Sequence, residues 1–129
     1  MIKTNYTILI VDENKIDRQM INLMLKDFTK PGFTKNAHIV SADSIDTAID
    51  TIKNQNVDLV LTELRLGGND GGYTLLTKVK DISKIPVIAQ TAQVYNNDRE
   101  RCLEAGFDNY ISKPYTPAAI NAIVRQYLN

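Results

Sequence analysis

Five side chains that could handle a phosphoryl group or a cation follow directly on four apolar stretches of this sequence. Thr7-Ile8-Leu9-Ile10-Val11 runs into Asp12 and Glu13, and Asp58-Leu59-Val60-Leu61-Thr62 runs into Glu63. Ile85-Pro86-Val87-Ile88-Ala89-Gln90 ends at Thr91, and Asn109-Tyr110-Ile111 ends at Ser112-Lys113-Pro114. Clustered carboxylates disfavour one another's ionised forms unless a cation stands between them. Hard oxygen donors supplied by few side chains suit Mg²⁺, which keeps several waters and pairs with phosphate. A lysine and a threonine hydroxyl on the opposite side would bind phosphoryl oxygens, so the set describes a phosphoryl site beside a divalent ion. Singly, each residue has a simpler reading. Asp12 and Glu13 favour a helix N-terminus, Thr91 caps a helix, and Lys113 is a solvated side chain. Their equivalent placement favours a shared site.

The placement depends on the elements. An apolar run without alternation reads as a strand buried on both faces, as in a parallel sheet. Four such strands are those above, and Ala37-His38-Ile39-Val40-Ser41 is a shorter one. Between them the apolar spacing changes to threes and fours. From Lys15, the residues Ile16, Met20, Leu23, Met24 and Asp27-Phe28 mark a helix face, with Asp12 to Asn14 as cap and Pro31-Gly32 as stop. Ser44 caps a helix carrying Ile45, Ala48, Ile49 and Ile52, and another helix runs from about Tyr73 to Val79. A polar helix covers roughly Asn97 to Ala105 and stops at Gly106. Thr116-Pro117 opens the last helix, with Ala119, Ile120, Ile123, Val124 and Tyr127 on its apolar face. Five β-α repeats predict a doubly wound parallel sheet with right-handed crossovers and helices on both sides, and a single domain over residues 1–129. Asp12, Glu13, Glu63, Thr91 and Lys113 then share the C-terminal edge of the sheet, where open α/β sheets bind their ligands.

The composition narrows the function classes. The 129 residues include 15 Lys plus Arg and 15 Asp plus Glu, so no net field draws in nucleic acid or an anionic membrane. No apolar segment approaches the length that spans a bilayer. A lone Cys102 and no signal-like N-terminus lead us to expect a cytoplasmic protein, with Cys102 as a buried small hydrophobe rather than a nucleophile. No P-loop is present, so a nucleotide is not the obvious ligand.

Taken together, Ile10-Val11-Asp12-Glu13-Asn14, Asp58 to Glu63, Asp70-Gly71, Pro86 to Thr91-Ala92 and Tyr110-Ile111-Ser112-Lys113-Pro114-Tyr115 closely resemble the response-regulator receiver domain (CheY-like) over nearly the whole chain. The resemblance implies a flavodoxin-like (βα)5 fold with strand order 2-1-3-4-5 and a role in two-component phosphorelay signalling rather than as an enzyme. It implies that Asp12 and Glu13 hold Mg²⁺ with Glu63 and the backbone carbonyl of Arg65, and that Thr91 and Lys113 contact the phosphoryl group. Tyr110 would be the aromatic that changes rotamer with Thr91 on activation. A histidine kinase or histidine phosphotransfer protein would be the upstream partner, and the face made by helix 4, strand 5 and helix 5 would meet the effector.

Three residues depart from that pattern. The family's phospho-acceptor is aspartate, and position 63 is glutamate. The added methylene is worth about 1.5 Å, and displacements of about 1 Å can cost on the order of 100-fold in an in-line transfer. A longer arm reaches toward Thr91 and Lys113, so a Glu63–Lys113 ion pair could fill the phosphoryl position and imitate the modified state. Gly67 stands where the family usually has proline and, with Gly68, loosens the loop. Arg65 puts a cation beside the site that competes for Glu63 or screens the carboxylates, or else it faces solvent. The expected function is an atypical receiver that regulates a partner with little or no phosphorylation. One alternative is Mg²⁺-dependent phospho-acceptance by Glu63. The other, a flavin-binding relative on the same fold, fits poorly with an acidic first loop.

Overall fold

In a computed structural model the described residues are 5–25, 36–92 and 94–128. Five strands, β1 (Asn5–Val11), β2 (Asn36–Ala42), β3 (Leu59–Glu63), β4 (Val87–Thr91) and β5 (Asn109–Ser112), alternate with five helices. These are α1 (Lys15–Met24), α2 (Ile45–Asn54), α3 (Gly71–Ile82), α4 (Asp98–Ala105) and α5 (Pro117–Arg125). The sheet has the order β2-β1-β3-β4-β5, and every pairing is parallel, as the five β-α repeats require. This is the flavodoxin-like strand order 2-1-3-4-5.

Both faces of the sheet are covered, which is why its strands read as unbroken apolar runs. Ile8, Ile10, Leu59, Leu61 and Ile88 point to the side where Ile21, Leu25, Ile120, Val124 and Leu128 lie. Leu9, Val11, Val60 and Ala89 point to the other side, against Ala48, Ile52, Leu75, Leu76, Val79 and Cys102. Cys102 is a fully buried free thiol, and burial raises its pKa. Each fully buried aliphatic side chain contributes about 1.5–3 kcal/mol, so these two layers dominate the fold's stability.

Local signals set the helix ends. Asn14 accepts from the Asp17 amide at 3.0 Å, Ser44 and Thr47 form a reciprocal capping box, and Thr116 accepts from the Ala119 amide at 3.1 Å ahead of Pro117. Gly106 closes α4 at φ 113°. Most element boundaries shift by one to three residues, those of β3, β4 and α3 among them. β3 extends to Glu63, β4 begins at Val87 rather than Ile85, and α3 covers Gly71–Ile82 rather than Tyr73 to Val79.

The face assigned to α1 needs correcting. Ile16, Met20 and Leu23 are 68%, 47% and 56% exposed; of the assigned residues Met24 packs against the core, beside Ile21 and Leu25. This helix carries apolar residues on two sides, and spacing by threes and fours fits either. The expected Asp27-Phe28 and Pro31-Gly32 features lie outside the described residues. On α5, Ala119 is exposed and Asn121 takes an inward place, its amide donating to the carbonyls of Met24 (2.8 Å) and Pro117 (2.6 Å). No helix among the described residues is long and apolar enough to cross a membrane.

Candidate functional site

The register brings four strand ends level. Val11 pairs with Thr62, Glu63 with Gln90, and Thr91 with Ser112, so the residues that follow or close these strands meet at one edge. The Lys113 amide donates to the Thr91 carbonyl at 2.8 Å, carrying the ladder one residue further and fixing where the lysine side chain leaves the backbone.

At the centre is Lys113. Its ammonium lies 2.9 Å from Asp12 Oδ2, 3.2 Å from Glu63 Oε2 and 3.4 Å from Asp17 Oδ2. Burial alone would lower the lysine pKa, but the Asp12 hydrogen bond and the charges of Glu63, Asp12 and Asp17 outweigh it and hold the pKa well above the ordinary lysine value. Asp17, in the first turn of α1, was not anticipated as part of this set. Its signal was faint: an acid in a helix's first turn ordinarily serves the helix dipole.

Glu63 spans the site. Its Oε1 accepts from the Thr91 hydroxyl at 3.1 Å and lies 3.4 Å from the Arg65 amide. Oε2 meets Lys113 as a charge contact without hydrogen-bond geometry. The anticipated Glu63–Lys113 pair is therefore present, and the Thr91 hydroxyl engages the same carboxylate. Asp12 is held on both oxygens, Oδ1 by the Asn14 amide at 2.9 Å and Oδ2 by Lys113. Glu13 points away from this group and accepts from the Gly67 amide at 3.1 Å. The Arg65 carbonyl accepts from the Gly68 amide at 3.0 Å. Tyr110 is buried, with its hydroxyl unpartnered, and burial raises its pKa.

The oxygen donors are of the type that Mg²⁺ takes, but they are otherwise engaged. Among the described residues no three acidic, histidine or cysteine side chains are gathered to hold a metal ion. As arranged, Asp12, Glu13 and Glu63 do not form a magnesium cage, because Lys113 supplies the counter-charge between two of them.

The Arg65 side chain matches none of its sequence readings: its guanidinium is paired with Asp98 and Asp70, not with the carboxylates of the site. It neither reaches for Glu63 nor faces solvent. It is 8% exposed and turns toward α4, where Nη2 donates to both oxygens of Asp98 at 2.8 and 2.7 Å. Nη1 donates to Asp70 at 2.6 Å, and the guanidinium carbon sits 4.6 Å from the centre of the Tyr95 ring. Burial would push the Asp98 pKa up, but the Tyr95 amide and Arg65 outweigh it and the pKa is lowered. Arg65 is raised correspondingly: its burial penalty is overcome by Asp98 and Asp70. Nothing local in the sequence announces this pair, whose members stand 33 residues apart. The glycines beside it are structured. Leu66–Gly68 is a single 3-10 turn in which Gly67 and Gly68 take φ 73° and 80°.

Comparison with known proteins agrees with the fold. Residues 8–125 match the response regulator receiver domain. The transcriptional regulatory protein YvrH of Bacillus subtilis is 32% identical over 124 residues, covering 96% of this chain and 49% of that protein, so the chain spans about half of that relative's length. A two-component response regulator from Clostridium difficile superposes with a TM-score of 0.81 at 26% identity, over 95% of each chain. The receiver domain of a sensor histidine kinase from Pseudomonas aeruginosa superposes at 0.79 with 26% identity, over 97% of this chain and 98% of that one, and it has a magnesium ion coordinated in its active-site cleft. With five parallel strands in the order 2-1-3-4-5 and a match over nearly its whole length, the chain belongs to the response regulator receiver domain family.

Proposed function

We propose that this receiver regulates a protein partner with little or no phosphorylation, and that Glu63, at the phospho-acceptor position, imitates the modified state. One observation carries the reading. A single carboxylate occupies the Thr91 hydroxyl at 3.1 Å and the Lys113 ammonium at 3.2 Å, the two groups that would otherwise receive a phosphoryl group. The extra methylene of Glu63 supplies that reach without any covalent step. Thr91 and Tyr110 form the switch, the hydroxyl drawn to Glu63 while the Tyr110 ring is held inside. The effector meets the face made by α4, β5 and α5, and a histidine kinase or histidine phosphotransfer protein is the class of upstream partner. All of residues 1–129 act as one receiver-like unit. Binding of Mg²⁺ by Asp12, Glu13, Glu63 and the Arg65 carbonyl would require Lys113 and the Gly67 amide to give up their contacts, and the proposed regulation does not use it.

The test is intact-mass analysis after treatment with acetyl phosphate and Mg²⁺, with Glu63→Asp beside the wild type. The expected result is no added phosphoryl mass on the wild type and an adduct on Glu63→Asp. A stable phosphoryl adduct on Glu63 would establish phospho-acceptance instead and overturn the reading.

A further inference from the structure

Arg65 is the buried arginine among the described residues, and the proposed function leaves its side chain unused. It departs from the backbone two residues after Glu63 and crosses to the first residue of α4. Asp98, there, is 1% exposed and accepts both Arg65 Nη2 contacts, and its Oδ2 also accepts from the Tyr95 amide at 2.8 Å. One ion pair therefore fixes three things: the loop after β3, the turn before α4, and α4 itself. Asn97, between Tyr95 and the helix, sits in the left-handed region at φ 64°, so the turn depends on its contacts to keep its shape.

The helix has few other anchors. Among α4 residues only Asp98 and Cys102 are buried, and Arg99 Nη1 donates to the Tyr110 carbonyl of β5 at 3.2 Å, so one apolar side chain, one hydrogen bond and one ion pair hold it in place. Tyr95, stacked on the guanidinium, and Val94 are 58% and 56% exposed, which puts the outer end of this contact on the surface next to α4. At its inner end, the Arg65 amide is 3.4 Å from Glu63 Oε1. The chain of contacts from Glu63 to α4 is short: carboxylate, Arg65 backbone, Arg65 guanidinium, Asp98.

We propose that Arg65 is a positioning residue that carries the state of the Glu63 carboxylate to the start of α4 through its buried pair with Asp98. The inference rests on the reading that Glu63 sets the state of the domain. It adds the route by which α4 follows. The pair bridges two segments that both border the site, and charge-assisted bidentate contacts have the directional stiffness to move them together. Asp70, more than half exposed, contributes a weaker second hold on Nη1.

Amide hydrogen exchange read by mass spectrometry tests this on four proteins: wild type, Glu63→Ala, Asp98→Asn and the double variant. Coupling between sites of this kind amounts to about 5- to 150-fold in an equilibrium. We expect Glu63→Ala to speed exchange across residues 94–105 by about tenfold in the wild-type background, within that range. In the Asp98→Asn background the same change has an effect below about twofold, because the link is already cut. A strut with no part in signalling would give equal increments in both backgrounds, and that additivity overturns the proposal. So does an α4 that does not respond to Glu63→Ala at all. If Asp98→Asn proves too unstable, the pair Arg65→Met with Asp98→Leu replaces the buried charges by apolar side chains, and the same criterion applies. The phosphodonor experiment reads modification of Glu63 directly, so its failure is distinct from failure of this coupling.

Discussion

Replacing Lys113 by methionine removes the charge that holds the site's carboxylates together. At an effective dielectric constant near 20, the contacts of 2.9 Å to Asp12 and 3.2 Å to Glu63 are each worth about 5 to 6 kcal/mol before desolvation. Desolvation offsets much of that, and deleting one partner of a buried pair costs about 3–5 kcal/mol. Asp12 keeps the Asn14 amide and Glu63 keeps the Thr91 hydroxyl, so the expected loss is at the lower end, about 3 kcal/mol. Glu63→Gln alone leaves Lys113 on Asp12 and costs about 1 kcal/mol. In the Lys113→Met background the same substitution removes an uncompensated buried anion, so its sign reverses and it stabilises by about 1 kcal/mol. Urea unfolding followed by far-ultraviolet circular dichroism measures all four proteins, since the chain has no tryptophan to report. If Glu63→Gln has the same sign in both backgrounds, Lys113 is not the counter-ion of Glu63 and the reasoning fails.

Lys113 also predicts an alkaline effect. Its raised pKa contributes stability that is complete below the unfolded-state value of about 10.4 and is lost as pH rises through the higher folded value. The urea-midpoint gap between wild type and Lys113→Met should therefore hold steady from neutrality to about pH 9 and narrow only above about pH 10.5, and narrowing nearer neutrality would contradict the assignment. In α3, Gly72→Ala would place a Cβ 2.8 Å from the Glu63 and Leu64 backbone. It should lower the thermal midpoint and cost about 2–3 kcal/mol, whereas helix propensity alone would predict a gain of about 1 kcal/mol. On α1, Ile21→Ala should cost about 2–5 kcal/mol, and Ile16→Ser should stay within about 0.5 kcal/mol of wild type. Equal costs in urea unfolding would reinstate the face read from spacing.

What could be read from the sequence was local or repeated. Ser44 with Thr47, Thr116 with Pro117, and Gly106 set helix ends through contacts spanning a few residues. Runs such as Leu59 to Leu61 disclose a sheet covered on both faces because no alternation survives there. The shared edge of Glu63, Thr91 and Lys113 followed from the parallel repeat. Spacing failed on α1, where Ile16, Met20 and Leu23 compete with Ile21 and Leu25 for the core and only the position of the sheet decides. It failed again at Arg65, whose burial depends on Asp98 arriving from another loop. Asp17 was hidden for the same reason: its part in the site exists only once β5 delivers Lys113.

The turn at Gly67 limits how this site can be re-engineered. Proline holds φ near −65° and has no amide hydrogen, whereas Gly67 sits at φ 73° and its amide donates to Glu13. A proline introduced at position 67 would meet both objections at once. It would reverse the turn, release Glu13, and displace the neighbouring Arg65 carbonyl that holds the Gly68 amide. Residues 65–70 would thus have to be exchanged together, as one cassette. A chimera that exchanges residue 63 alone would place a new side chain on an old hinge, while one that exchanges the cassette would also remove the arginine that grips α4.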